Sequence, residues 1–348
     1  MEKVLEKMAG LVSQLSQTSQ SPAYVGRLAP SPTGALHLGN VRTFMIAWLR
    51  ARSQGGKVIF RMEDLDHPKD KPGAAAQAVE DLKWLGFDWD EEYVQSERKA
   101  IYRQALESLL HPHQEPGTKH QALIYPCACS RRDVEAAQSA PHAGEQLFYP
   151  GICRDRFATW REAQAFLDGT SDSRSSSVSR TPCWRFRVSE DTIISFDDAF
   201  AGHYEQDVSR TLGDFPLARD EFGAGYTLAC TVDDILMGVT EVVRGDDLLA
   251  ATPAQILLAR ALSKAIDGCR LPSYCHVPLV VGRDGKRLAK RHGDTRIATF
   301  REAGKSPEEI LGFLAASCGW AEKGERASLC DLLTRFDLGT IPRSPFMV

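Results

Sequence analysis

Arg27-Leu-Ala-Pro-Ser-Pro-Thr-Gly-Ala-Leu-His-Leu-Gly-Asn40 is the stretch from which the rest of the chain can be read. The apolar run Tyr24 to Ala29 has the length of a short strand and leads into a Pro/Ser/Gly loop. His37-Leu-Gly-Asn40 then opens an amphipathic run, Val41 to Arg52. A strand, a loop and a helix start make an anion cradle, because the first helical turn has free N–H groups and carries the positive end of the helix dipole. Gly34 and Gly39 let backbone approach a ligand closely, and His37 adds a donor. The stretch points to a nucleotide.

Reading outward, the first third of the chain alternates. The pattern predicts a strand at Tyr24–Ala29, a helix at Gly39–Ser53, a strand at Lys57–Asp64 and a helix at Ala74–Leu85. Gly55-Gly56 and Gly86 stop the two helices. Such alternation predicts an α/β fold with a parallel sheet and right-handed crossovers. A helix is expected at Ser96–Leu110. From Tyr125 to about Arg187 the texture changes to Cys, His, Pro and Gly, with a Ser-rich stretch, Asp168 to Thr181, expected as a mobile loop. Cys183–Val188 alternates as a strand does. Sheet-like signals return at Tyr226–Val232 and Glu241–Arg244, and a helix is expected at Pro253–Lys264 with Thr252 as N-cap. From Leu271 a small unit carries a basic loop and an amphipathic helix, Ser306–Ala316. The expected organisation is an extension over 1–20, one nucleotide-binding domain in two halves (21–110 and 188–270), an insertion over 111–187, and a C-terminal unit over 271–348.

With 348 residues the chain can hold two or three small domains. A net charge of −4 gives no global basic footprint, so nucleic-acid binding would need a local patch, and Arg283 to His292 is the best candidate. No apolar run reaches the length of a membrane helix. Residues 1–20 lack a continuous apolar core and are read as an extension, not an export signal. Nine cysteines without such a signal suit reduced thiols, some of them metal ligands, in a cytoplasmic protein.

An acidic amino acid would need cations for its side-chain carboxylate and acceptors for its ammonium. Arg27 and Arg244 each stand at the end of an expected strand, where open α/β sheets bind ligands, and each can fork onto a carboxylate. Glu63 can accept from an ammonium, and Tyr226 offers a hydroxyl. Cys127-Ala-Cys129, then 19 residues, then Tyr149-Pro-Gly-Ile-Cys153 bring three thiols and a phenol, a set suited to structural zinc. His142 and Glu145 are alternative fourth ligands.

Over residues 22 to 320 the chain resembles the class I aminoacyl-tRNA synthetases of the glutamate kind. Ala29-Pro-Ser-Pro-Thr-Gly with His37-Leu-Gly-Asn40 is similar to the family's HIGH signature, and Arg287-Leu-Ala-Lys-Arg291 to its KMSKS loop. Arg61-Met-Glu-Asp-Leu-Asp66, Tyr226-Thr-Leu-Ala-Cys-Thr-Val-Asp-Asp234 and Val242-Val-Arg-Gly-Asp-Asp-Leu-Leu249 also match, in the family's order. The resemblance implies a Rossmann-like fold with an inserted acceptor-binding-type subdomain and a short stem-contact unit. It implies ATP-dependent, Mg²⁺-assisted activation of L-glutamate. His37 and Lys290 would act catalytically, contacting the ATP phosphates from two sides with Gly39 and Asn40. Arg27, Leu28, Ala29, Pro30, Ser31, Glu63, Tyr226 and Arg244 would hold glutamate. Arg287 stands where the family usually has Lys and Ala289 where it has Ser, so Lys290 is the principal expectation in that loop.

The Cys/Tyr pattern resembles the zinc site of one branch, the glutamyl-Q tRNA(Asp) synthetases, and implies one structural Zn²⁺ on Cys127, Cys129, Tyr149 and Cys153. The 57 residues after Arg291 are enough for a stem-contact unit but not for a second multi-helix domain, which favours the same branch. Its members activate glutamate without tRNA and attach it to queuosine in the anticodon loop of tRNA(Asp). A monomer is expected. The competing readings are a shortened glutamyl-tRNA synthetase that charges a 3′ end and a non-catalytic RNA-binding relative.

Overall fold

The structure is a computed structural model, and it describes residues 24–65, 70–111, 122–136, 148–170, 180–221, 223–263, 270–286, 288 and 294–348. The extension 1–20, His142, Glu145, most of the Ser-rich stretch, and Arg287, Ala289, Lys290 and Arg291 lie outside the described residues.

Strands β1 (Val25–Leu28), β2 (Lys57–Met62) and β3 (Glu91–Val94) form a parallel sheet in the order β1-β2-β3. The helices Leu38–Arg52 and Ala74–Trp84 make the crossovers. Residues alternate between two cores, as a sheet covered on both faces requires. Leu28, Val58 and Phe60 belong to one, Val25 and Ile59 to the other. The helix expected from Ser96 begins as a 3-10 turn, Gln95–Arg98, and continues as Lys99–Leu110.

The insertion contributes β4 (Ile124–Cys127) and β5 (Cys183–Phe186), antiparallel to each other. After them comes a hairpin that the sequence pattern did not single out, β6 (Ile193–Asp198) and β7 (Gly202–Asp207). Strand β8 (Pro216–Ala218) then closes the small sheet as β4-β5-β8. The second half of the nucleotide-binding fold is carried by β9 (Glu241–Gly245) and β10 (Ser273–Val277) in a sheet ordered β7-β6-β10-β9. Thr240 N–H donates to Val25 O at 2.9 Å and Arg27 Nη1 to Val243 O at 2.6 Å, so the edge of β9 abuts that of β1. The order runs outward in opposite directions from that junction, which makes β1/β9 the switch point where such sheets bind ligands.

One expectation is corrected. Tyr226–Val232 is not sheet but the first part of a helix, Tyr226–Leu236. Leu228 through Leu236 are all buried, but the segment read as sheet, Tyr226–Val232, stops before Asp233 and Asp234, so the two acids of the helix fall outside it. A short apolar run of this kind cannot be told from a buried strand by periodicity. The later helix starts at Thr252 rather than after it, because a 3-10 turn, Asp246–Ala251, feeds directly into Thr252–Ser263. Ser306 caps the helix Pro307–Ala316 with a reciprocal bond from Glu309, close to expectation. Among the described residues no helix is long and apolar enough to cross a membrane.

Candidate active site

A cleft of about 620 Å³ opens at the β1/β9 junction, lined by Arg27, Ala29, Pro30, Ser31, His37, Gly39, Asn40, Glu63, Tyr226 and Arg244 among others. Of the glutamate-site residues expected from sequence, only Leu28 is not on its wall; its side chain is fully buried in the core. Leu288, inside the basic loop, also lines the cleft.

The helix start is built as the opening stretch suggests. His37 is the N-cap of Leu38–Arg52, its Nδ1 accepting from Gly39 N–H at 3.1 Å, while Asn40 Oδ1 accepts from His37 N–H at 3.1 Å. Accepting at Nδ1 fixes the neutral ring as the Nε2–H tautomer, a donor. At Gly39 a Cβ would stand 3.0 Å from the His37 ring, a tight contact that would press on the capping imidazole.

Glu63 is held from three sides. Its N–H donates to Pro30 O at 2.9 Å, tying the end of β2 to the loop. Its Oε1 accepts from Arg61 Nη2 at 3.0 Å and from the Cys230 thiol at 3.1 Å. Arg61 is fully buried and also donates to Asp234 Oδ1 at 2.6 Å. Burial opposes the Arg61 charge, but Asp234 and Glu63 outweigh it and hold the guanidinium firmly protonated.

The two cleft arginines come from the two abutting strands. Arg27 Nη1 donates to Val243 O at 2.6 Å, across the junction, and its Nε is 3.8 Å from Asp234. Arg244 is only 5 % exposed; its Nε donates to His276 Nε2 at 3.0 Å and its Nη2 to Thr252 Oγ1 at 2.7 Å. Tyr226, 44 % exposed, stands at the first turn of its helix beside them. The cleft thus joins two guanidinium groups, one carboxylate, one phenol and a capped helix start, a set matched to a zwitterionic anion next to a phosphate.

A sequence profile described as tRNA synthetases class I (E and Q), catalytic domain, matches residues 24–333. The chain belongs to this family. Among its relatives, it is 43% identical over 334 residues to the "Glutamyl-Q tRNA(Asp) synthetase" of Symbiobacterium thermophilum, covering 93% of this chain and 95% of that one. It is 42% identical over 346 residues to the protein of the same name from Rhodopirellula baltica, covering 93% and 96%. A solved glutamate tRNA ligase from Elizabethkingia meningosepticum, in complex with its amino acid, superposes with a TM-score of 0.71 at 27% identity. That match covers 93% of this chain and 66% of the solved one.

This class I synthetase carries a second constellation in its insertion. The Sγ atoms of Cys127, Cys129 and Cys153 lie within 4.8 Å of one another, and Tyr149 Oη is 3.2 Å from Cys127 Sγ and 3.9 Å from Cys129 Sγ. The four expected ligands are therefore brought together despite the long spacer. Tyr149 reaches the cluster because its backbone pairs with Gly213, where φ is +63° and a Cβ would meet Tyr149 O at 2.2 Å. Three soft thiols and a phenol within this radius fit a four-coordinate metal such as zinc.

Several participants carried no sequence signal of their own. Cys183 faces Cys127 across β4/β5 and packs against the cluster. The Arg185 guanidinium sits 3.7 Å over the Tyr149 ring, a buried cation beside the thiol and phenol cluster. His276 and Thr252 hold Arg244, and only their pairing across β9/β10 and the following helix brings them together.

Proposed function

We propose that this synthetase activates L-glutamate with ATP, without tRNA, and transfers the glutamyl group to the queuosine base in the anticodon of tRNA(Asp). The observation that carries the reading is the convergence of Arg27, Arg244 and Glu63 beside the His37-capped helix start in one cleft. The names of the relatives above support the acceptor.

The side-chain carboxylate of glutamate would take the open ends of Arg244 and Arg27, and its ammonium would donate to Glu63, with Tyr226 adding its hydroxyl. The α-carboxylate oxygen then attacks the α-phosphorus of ATP, forming an acyl–phosphate bond as the bond to pyrophosphate breaks. His37, through Nε2–H, and the positive end of the helix at Gly39 and Asn40 would stabilise phosphate charge, with Lys290 doing so from the basic loop and Mg²⁺ accompanying the nucleotide. In the second step a nucleophilic group of the modified base attacks the glutamyl carbonyl and AMP leaves.

Zinc on Cys127, Cys129, Tyr149 and Cys153 would serve as a structural clamp for the insertion over 111–187, supplying fold stability and no chemistry. The halves 21–110 and 188–270 would form the catalytic domain, and 271–348 the stem-contact unit. The clustered thiols, none in a disulfide, accord with a reducing compartment such as the cytoplasm. A monomer is the proposed working form.

Transfer of labelled glutamate to tRNA(Asp) with and without queuosine tests the acceptor. Label is expected only on queuosine-bearing tRNA, in a base-linked form that survives removal of the 3′ terminal adenosine. Label lost with that adenosine would establish ordinary 3′-end charging instead.

A further inference from the structure

We propose that His276, oriented by Asp198, is a positioning residue that holds Arg244 while leaving its charge uncompensated for the substrate's side-chain carboxylate. The inference rests on the reading that Arg244 binds that carboxylate.

The relay is buried throughout. His276 on β10 lies in register with Arg244 on β9. His276 Nδ1 is 2.6 Å from Asp198 Oδ2, and both side chains are fully shielded from solvent. Asp198 also accepts N–H bonds from Phe200 at 3.0 Å, Ala201 at 2.7 Å and His276 at 3.0 Å. So many donors require an anionic acceptor there. An ionised carboxylate only accepts, so Nδ1 carries the ring proton; a guanidinium only donates, so Nε2 must offer its lone pair to Arg244. The partners on both sides thus fix one tautomer, and the ring is neutral.

The consequence lies in the charge balance. Arg244 Nε and Nη2 are satisfied by an imidazole nitrogen and a hydroxyl, both neutral, and Thr252 Oγ1 can pass its own proton to His276 Nε2 at 3.0 Å or to Leu248 O at 3.1 Å, both neutral acceptors. The Tyr274 ring, 5.6 Å from the guanidinium carbon, adds another neutral support. Among the described residues no carboxylate forms an ion pair with Arg244, whereas Arg27 has Asp234 and Arg61 has both Asp234 and Glu63. The nearest anion in the relay, Asp198, is one imidazole away. A carboxylate directly on Arg244 would neutralise it; an imidazole fixes the fork and leaves a desolvated positive charge at the cleft. That charge favours a carboxylate over the isosteric amide, so the relay bears on the choice of glutamate over glutamine.

The test compares H276N, H276Q and R244A in ATP–pyrophosphate exchange with glutamate varied. Asn places a donor near the Nδ1 position and keeps the Asp198 contact but loses the acceptor for Arg244. Gln places a carbonyl near the Nε2 position and keeps that acceptor. The expected result is a glutamate KM raised about 10-fold or more in H276N, within about 3-fold of wild type in H276Q, with kcat and the ATP KM little changed in both. The reverse order, or equal KM values, would overturn the inference and make His276 a prop for the 198–201 turn. If H276N does not fold, D198N serves: an amide facing Nδ1 frees the other tautomer, and an unchanged glutamate KM overturns the relay. R244A separates the two levels. An unchanged glutamate KM there removes the underlying reading, while a raised one beside a normal H276N removes only this inference.

Discussion

His37 and Arg296 face each other in an antiparallel bridge, closed by bonds from Leu38 N–H to Thr295 O at 3.1 Å and from Ile297 N–H to Leu36 O at 3.0 Å. The chain that follows the basic loop is thereby stitched to the rim of the cleft. Lys290 precedes Thr295 by five residues in the sequence. Lys290→Ala is expected to lower the rate of glutamate-dependent pyrophosphate exchange by about 100-fold, with glutamate binding by calorimetry retained. Normal exchange in this variant would leave the cleft with phosphate contacts from the His37 side alone.

His37 has two separable jobs, capping the helix and donating from Nε2. His37→Ala loses both and should cost about 0.5–2 kcal/mol of stability along with most of the exchange activity. His37→Asn restores a good N-cap without an imidazole. Its thermal midpoint should return close to wild type while exchange stays low. Recovery of both together would reduce His37 to a cap.

The metal cluster predicts a graded series in zinc content measured by atomic emission. Cys127→Ala should lose the metal, because three ligands cannot close a structural site. Tyr149→Phe keeps three thiols and should bind zinc at least about tenfold more weakly. Cys183→Ala should keep full stoichiometry, since Cys183 is outside the set of sulfurs that lie mutually within 4.8 Å. Loss of zinc in Cys183→Ala with retention in Tyr149→Phe would exchange their roles.

Residues that act through local chain geometry were legible in the sequence. The helix start beside His37, Gly39 and the strand-end positions of Arg27 and Arg244 follow from short-range rules, whereas His37 acting as the cap itself was not expected; the cleft at the β1/β9 junction holds them together. Cys127, Cys129, Tyr149 and Cys153 were legible from residue chemistry and a family pattern, although the contact that seats Tyr149 on Gly213 was not. The helix Tyr226–Leu236 was misread because the apolar run Tyr226–Val232 is too short for periodicity to separate a helix from a buried strand. The holding roles of His276, Thr252, Arg61 and Arg185 were not legible for another reason, although Thr252 was expected as a helix cap and Arg61 stands in a matched motif. Their roles exist only once distant strands pair, and a lone His or Arg in an apolar run carries no sign of the partner it will meet.

The His276–Asp198 pair also predicts how stability depends on pH. Burial, then the Arg244 charge, pull the His276 imidazole below its ordinary value of about 6.5, and the Asp198 bond offsets this only in part. Burial pushes the Asp198 carboxyl up, but the bonds from His276, Ala201 and Phe200 outweigh it and hold the carboxyl below its ordinary value. The other ionisable groups near the ring are Arg27, whose charge also lowers it, Asp246 and the phenol of Tyr274. Below about 6.5 the unfolded chain binds a proton at His276 that the native chain refuses, so this contribution is complete above about 6.5 and declines as pH falls. The Asp198 contribution is complete above the ordinary carboxylate range and is lost only at lower pH, as the carboxylate protonates. Denaturant melts from pH 7.5 to 5 should therefore slope downward in the wild type, and H276N should flatten that slope while keeping the steeper acid loss from Asp198. Protonation at Nε2 also removes the acceptor for Arg244, so the wild-type glutamate KM should rise on the acid side and that of H276Q should not. Parallel KM profiles in the two proteins would detach the imidazole from substrate binding and leave it a role in stability alone.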